Sequence, residues 1–183
     1  GSIDDMGPYQ NVFLQECEGI NFLLSEMMRS LRELNMGFAG ELTMSDNMED
    51  LQNSLHLDRV PETWAKRAWP SLRSLTMWLN DLGQRIDQLV EWTGNPANIP
   101  KVTWLGGFKN PQSFLTAIKQ ITAQRTGEPL DRLVTQTDMT KKVKVDEIEA
   151  PSRDGAYING FYMDGARWNL SGGIIEAARP KEM

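Results

Sequence analysis

A regular apolar stripe near the start of the chain constrains its fold more than any other feature. Seven residues follow one another at alternating spacings of four and three positions, and they are Phe13, Cys17, Ile20, Leu24, Met27, Leu31 and Leu34. This spacing places them on one face of an α-helix. The pattern predicts a long helix over residues 10–36, ended by Gly37 in a left-handed cap. Charged residues between the stripe positions, such as Glu16, are expected to face solvent.

A second stripe of the same kind lies in the middle of the chain. Apolar residues recur at spacings of three and four from Leu72 to Leu89, and Trp78 and Trp92 widen the same face. We therefore expect a helix over residues 71–92. A third long helix is predicted to begin at Asn110-Pro111 and to end at Gly127, and its inner face is formed by Phe114, Leu115, Ile118 and Ile121.

Capping signals predict two shorter helices between these stripes. Asp46 is followed by Glu49 three positions later, which resembles a capping box with Asp46 as the cap. We expect this helix to cover residues 46–56. Pro61 predicts a second short helical turn, through Trp64 to Arg67, because proline is tolerated at the first position of a helix.

The pattern changes from helical to strand-like after Pro129. Apolar and polar residues alternate over 133–138 and 142–145, and residues 156–163 are rich in aromatic side chains. Asp164-Gly165 is a hairpin signal that predicts residues 166–169 as the return strand. A second tight turn is expected at Ser171-Gly172-Gly173, before Ile174.

The predicted fold class is therefore α+β, with the helices first. A helical subdomain is expected over residues 3–128 and a β subdomain over residues 129–183. Gly1-Ser2 is interpreted as the scar of a removed tag, and we expect the chain to be a fragment of a longer protein.

Composition excludes several classes of function. The formal charge of −6 argues against a protein that binds nucleic acid or an anionic membrane surface, since both need a basic face. No apolar run approaches the roughly 20 residues that span a bilayer. One cysteine, Cys17, and one histidine, His56, exclude a disulfide framework and any metal site with two imidazoles.

The chemical inventory offers no catalytic group, cofactor site or metal site. The Walker pattern of glycines before Lys-Ser/Thr is absent, so no phosphate-binding loop is expected. Cys17 is interpreted as a buried structural thiol, His56 as a surface or helix-end residue, and the six tryptophans mainly as core. The inventory alone describes a binding or structural module.

Three groups of residues carry a resemblance to a known family. They are Val60-Pro61-Glu62-Thr63-Trp64 with Trp69-Pro70; Trp104-Leu105-Gly106-Gly107-Phe108 with Asn110-Pro111-Gln112-Ser113-Phe114; and Asp154-Gly155-Ala156-Tyr157 with Gly160 and Asp164-Gly165-Ala166-Arg167-Trp168. Together and in this order, they resemble the C-terminal domain of dynein heavy chains over residues 14–181. Residues 40–43, 110–114 and 140–142 resemble most the axonemal, outer-arm class.

The resemblance implies a fold and a role. It implies helices followed by an antiparallel, incomplete β-barrel-like sheet, which packs on the AAA+ ring of the same heavy chain. It implies a non-catalytic module that braces the ring and tunes ATP-driven microtubule motility in a ciliary or flagellar axoneme, without touching the microtubule. The signature residues are then structural: Pro61, Trp64, Pro70, Trp104, Gly107, Phe108, Pro111, Gln112, Ser113, Phe114, Gly155, Tyr157, Gly160, Gly165, Ala166, Arg167 and Trp168.

Two other functions stay open at this point, namely a stand-alone helical adaptor and a small-ligand-binding domain. The latter predicts a cleft with converging polar groups. The chain ends at Met183, before the strands that complete the barrel in the family it resembles. We therefore expect an open sheet edge, through which the fragment associates with a second copy.

Overall fold

A computed structural model describes residues 6–140, 142, 144–160, 165–169, 171–172 and 174–178. Its α-helices are α1 (Pro8–Phe38), α2 (Asp46–His56), α3 (Glu62–Ala65), α4 (Leu75–Thr93) and α5 (Pro111–Thr126). Its strands are β1 (Thr103–Trp104), β2 (Ile158–Asn159), β3 (Ala166–Asn169) and β4 (Ile174–Ala177), and short 3₁₀ turns lie at Leu105–Gly107, Leu130–Arg132 and Val145–Glu147. The predicted α+β class is confirmed.

The chain divides into two compact units. The helical unit consists of Phe13–Gly94 and Gly107–Asn110. The mixed unit consists of the described parts of residues 1–12, 95–106 and 111–183. The predicted boundary between subdomains near residue 128 stays a prediction.

The core of the helical unit is rich in aromatic side chains. Trp78 of α4 stacks on Trp69 at 5.1 Å between ring centres and on Trp64 of α3 at 6.3 Å. Trp92 packs edge-on against Phe13 of α1 at 5.4 Å. Each such pair adds about 0.5–1.5 kcal/mol beyond the burial of its area. The prediction that tryptophans form the core is therefore correct for these four, whereas Trp104 is half-buried and Trp168 is exposed.

Helix α1 runs past its predicted end. Gly37 lies inside the helix, and Gly40 takes the left-handed conformation with φ +76°. The amide of Glu41 then donates to the carbonyl of Met36 at 2.9 Å, which closes the helix end. A Cβ at Gly37 would lie 2.6 Å from the sulfur of Met44, so this flexible side chain would have to shift to accept it. The predicted cap at residue 37 was wrong.

Two helix starts also differ from the prediction. Ser45, not Asp46, caps α2, and its hydroxyl accepts from the amide of Met48 at 3.4 Å. Helix α4 begins at Leu75 rather than at residue 71, and Ser74 is its cap. The predicted inward Leu72 lies before this cap and is fully exposed. In both cases the serine directly before the helix, rather than the predicted residue, accepts a hydrogen bond from an amide at the helix start.

The start of α4 is also held by the preceding loop. Asp58 has a positive φ of 52°, and its carbonyl accepts from the amide of Leu75 at 2.9 Å. Its carboxylate accepts from both the amide and the hydroxyl of Thr76 at 2.8 Å. These bonds occupy donors that the helix itself leaves free, and those from Thr76 lower the pKa of Asp58 below its ordinary value.

The described strands form two small sheets. In the first, β1 pairs with β2 in parallel, with Thr103 beside Ile158. In the second, β3 and β4 form an antiparallel hairpin, with Asn169 opposite Ile174. The predicted turn before Ile174 is confirmed at Ser171 and Gly172, whereas Gly173 lies outside the described residues. These strands form no closed barrel, and the predicted barrel-like sheet stays a prediction.

Several predicted strands differ in the structure. Residues 133–140 are irregular, and Val145–Glu147 is a 3₁₀ turn. The alternation of apolar and polar residues did not predict a strand correctly here. Val134 and most of its neighbours are exposed, so the segment buries no apolar face. Among the described residues β2 pairs with β1 and β3 pairs with β4, whereas the predicted pairing of 156–163 with 166–169 depends on residues that are not described and stays a prediction. Residues 161–164, including Asp164, lie outside the described residues.

Candidate functional site

A buried carboxylate in α1 holds a distant loop of the helical unit. Glu16 is only 4% exposed. One of its oxygens accepts from the amide of Lys109 at 2.7 Å, and the other accepts from the amide of Asn110 at 2.8 Å. Hydrogen bonds to an ionised group are about twice as strong as neutral ones, so they offset the cost of burying the charge. The prediction that Glu16 faces solvent was wrong.

A buried guanidinium in α4 holds the same loop from another side. Arg85 donates through Nη1 to the carbonyl oxygen of Gly107 at 2.8 Å. Its guanidinium carbon lies 3.9 Å from the centre of the Trp69 ring, and Asp81 lies one helical turn away at 3.6 Å. Burial lowers the pKa of Arg85, and the charge of Asp81 opposes that shift. An arginine stays charged under such a shift, so the cluster is ionic.

The loop contributes two anchors of its own. Phe108 is buried, and its ring centre lies 5.9 Å from that of Trp92. The ammonium group of Lys109 donates to the carbonyl of Arg67 at 2.9 Å. We call Gly107–Asn110, together with Glu16 and Arg85, the clasp. It contains Glu16 and Arg85, which together with Asp81 are the buried charged residues among the described part of the helical unit.

Five of the signature residues lie in the helical unit. Pro61 precedes α3 as its cap, and the indole nitrogen of Trp64 donates to the hydroxyl of Ser30 at 2.9 Å. Gly107 and Phe108 belong to the clasp. Pro70 is exposed, beside the buried Trp69 that contacts Arg85. The first two signature groups therefore meet, in part, around the clasp.

The other signature residues lie in the mixed unit. Phe114 of α5 is fully buried and stacks on Tyr9 at 6.3 Å, whereas Pro111 and Gln112 are exposed and Ser113 is half-buried. Gly160, after β2, has φ +67°, and a Cβ there would lie 3.0 Å from Cδ1 of Trp104. Gly155 also has a positive φ, of 141°, and Tyr157 is half-buried.

The hairpin of β3 and β4 contains the last signature residues. Gly165 precedes β3 with φ +71°, which confirms the left-handed backbone expected of a glycine in a turn. Arg167 forms an ion pair with Glu176 across the hairpin. Ala166 is half-buried, and Trp168 is 45% exposed. This group builds a turn and a strand pair rather than a chemical site.

The rest of the described surface offers little chemistry. No group of three His, Cys, Asp or Glu side chains suited to a metal ion occurs among the described residues. A shallow depression in the mixed unit is lined by apolar and amide side chains, among them Met6, Asn11, Gln120 and Gln124. None of the described helices is both long and apolar enough to cross a bilayer.

The lone thiol and the lone imidazole take no part in the clasp contacts described above. Cys17 is half-buried rather than buried, and burial, followed by the charge of Glu16, raises its pKa. A raised pKa keeps the sulfur protonated and unreactive at neutral pH. His56 is exposed in the last turn of α2.

Sequence reasoning missed Glu16, Asp81 and Arg85. A signal for Glu16 was present, because Phe13, Glu16, Ile20, Leu23 and Met27 also follow spacings of three and four, and all five are buried. Asp81 and Arg85 are an i, i+4 pair inside the apolar stripe of α4. An opposite-charge pair on an apolar stripe indicates a buried ion pair, but its loop partner is distant in sequence.

Comparison with known proteins gives one family. The family model for the C-terminal domain of the dynein heavy chain matches residues 2–183. The sequence is 52% identical over 181 residues to "Dynein beta chain, ciliary" of Tripneustes gratilla. It is 50% identical over 181 residues to "Dynein axonemal heavy chain 9" of Homo sapiens. Each of these two matches covers 99% of the present chain. The sequence is 49% identical over 176 residues, 96% of its length, to "Dynein beta chain, flagellar outer arm" of Chlamydomonas reinhardtii.

These relatives are far longer than the chain, which spans about 4% of the length of each. The match nevertheless covers almost all of this chain, at an identity well above the level at which fold and family are shared. It also includes all three signature groups. The chain therefore belongs to the family of C-terminal domains of dynein heavy chains, and its relatives are ciliary, flagellar and axonemal heavy chains.

Proposed function

We propose that this chain is a non-catalytic bracing domain of an axonemal dynein heavy chain, which packs on the AAA+ ring of the same heavy chain and tunes microtubule motility. The observation that carries the proposal is the match of the whole chain to ciliary and flagellar heavy chains. Its location is accordingly the ciliary or flagellar axoneme. The ring, rather than a microtubule, a membrane or a nucleic acid, is its partner.

An exposed apolar face on α1 supports a packing role. Met28 and Phe38 are each 61% exposed, and Leu31 lies exposed between them. Their spacing of three and seven positions places them on one side of the helix. Exposed apolar residues on one face are typical of a surface that contacts another protein. We assign this trio, Met28, Leu31 and Phe38, as the docking face toward the ring.

The chemistry of the described residues supports a non-catalytic role. The buried charges of the clasp already have partners within the chain, and the shallow depression has no titratable lining residue among the described ones. We therefore expect the 183-residue protein neither to bind nor to hydrolyse ATP. Calorimetric titration with ATP and Mg²⁺ checks this, and a saturable, stoichiometric heat would contradict it.

The bracing role is tested in the heavy chain. Motility is compared between a heavy chain that carries this domain and one that lacks it, with ATP binding by the ring measured in both. We expect microtubule velocity or force to change while ATP binding is retained. Equal motility in the two proteins would contradict the proposal.

A further inference from the structure

The clasp contains a short segment that is bounded in sequence by the mixed unit. Residues 95–106 and 111–183 belong to the mixed unit, but the four residues between them belong to the helical unit. The backbone therefore enters the helical unit at Gly107 and leaves it after Asn110. The contacts described for these four residues are with residues of the helical unit.

Side chains from separate elements hold this short segment. Glu16 of α1 accepts from two consecutive amides, and Arg85 of α4 donates to the carbonyl of Gly107. The Phe108 ring packs on Trp92, and the Lys109 ammonium reaches the Arg67 carbonyl. A segment held in this way opens when a few local contacts are lost, whereas a helix in the core opens only with the whole unit.

We propose that Gly107–Asn110 opens and closes as one conformational unit, and that Glu16 is the residue that locks it closed. Glu16 is the only clasp side chain described here that holds two adjacent amides. Loss of the Glu16 carboxylate leaves the amides of Lys109 and Asn110 without their charged acceptor. The inference concerns the internal mechanics of the domain and does not depend on the proposed role in the motor.

Hydrogen exchange of the 183-residue protein tests the lock. Glu16→Gln keeps the size of the side chain but replaces one acceptor oxygen with a donor. Hydrogen bonds to charged groups are worth enough to give roughly 10- to 100-fold faster opening when one is lost. We expect this acceleration at the amides of Lys109 and Asn110, with little change in α2. Glu18→Gln, an exposed position on the same helix, is the matched control and should leave all rates unchanged.

Trypsin cleavage after Lys109 gives a second readout. The Lys109 side chain is exposed, but its amide and the next are held by Glu16, so cleavage requires the clasp to open. We expect Glu16→Gln to be cut at this bond at least several-fold faster than Glu18→Gln. Unchanged exchange and cleavage would overturn the proposal. A uniform acceleration that includes α2 would also overturn it, because Glu16 would then stabilise the whole unit rather than lock one segment.

Discussion

At the scale of single residues, the buried charge of Arg85 in the clasp depends on its neighbour Asp81. Arg85 is 6% exposed and Asp81 is 7% exposed, so neither charge is well solvated. Removing one member of such a pair leaves the other buried and uncompensated, which costs far more than the pair is worth as a whole. The aromatic face of Trp69 adds a further contact to the guanidinium.

We predict that Arg85→Met lowers the free energy of unfolding by about 3–5 kcal/mol, because it isolates Asp81 and frees the Gly107 carbonyl. The double variant Arg85→Met, Asp81→Leu should lose less than the single variant, since no uncompensated charge then remains. Urea unfolding of both variants measures this. A double variant less stable than Arg85→Met would contradict the account of the pair.

Two glycines with similar backbone angles allow a matched comparison. Gly160 and Gly165 have φ +67° and +71°, but only Gly160 has Trp104 within 3.0 Å of an added Cβ. We predict that Gly165→Ala costs about 1–2 kcal/mol through backbone strain, because none of the described atoms lies within 4 Å of an added Cβ. Gly160→Ala should cost more, because the Trp104 ring must also move. Equal losses in the unfolding free energy would show that the contact with Trp104 is unimportant.

At the scale of elements, sequence periodicity located the helices but not their ends. The long stripes predicted α1, α4 and α5 because a buried helical face has a fixed period. The helix ends predicted from Gly37, Asp46 and Leu72 were wrong. The observed ends depend on local structure at Gly40, Ser45 and Ser74, which periodicity does not show. The strand predicted over residues 133–138 is not observed. An alternating pattern favours a strand only where one face of the segment is buried, and most of these residues are exposed.

The clasp could be predicted only in part for the same reason. The helix positions of Glu16, Asp81 and Arg85 follow from periodicity, but their partners at Gly107, Lys109 and Asn110 are contacts distant in sequence. No spacing rule connects residue 16 to residue 109. The burial of Glu16 could be inferred from its place among apolar residues at helical spacing. The amides from which its carboxylate accepts could not be inferred from the sequence.

The hydrogen bonds between the Asp58 carboxylate and Thr76, at the start of α4, make part of the folding stability depend on pH. Hydrogen bonds from Thr76 hold the pKa of Asp58 below its ordinary value of 3.8, so the folded state favours the ionised form. A lowered pKa contributes stability that is present above about pH 4 and is lost as pH falls through the folded value. We predict that Asp58→Asn reduces the pH dependence of stability below about pH 4. Denaturation midpoints of both proteins across this range check it, and identical slopes would contradict it.

At the scale of the whole molecule, family membership and the exposed apolar trio on α1 both support the proposed role. The match covers nearly all of the chain, and the relatives are heavy chains about 25 times longer, which supports our proposal that the domain acts within a larger protein. The trio Met28, Leu31 and Phe38 offers an apolar face that the described residues leave exposed. Self-association through a sheet edge stays a prediction.

Microtubule gliding by a heavy chain with Met28→Gln, Leu31→Gln and Phe38→Gln tests the central proposal most directly. The matched control carries Glu18→Gln, Ser25→Gln and Arg32→Gln, which are exposed polar positions on the same helix. We predict that the first variant changes gliding velocity as removal of the domain does, keeps ATP binding and leaves the isolated domain as stable as the control. Gliding velocity equal to that of the control would contradict the assignment of this face as the contact with the ring.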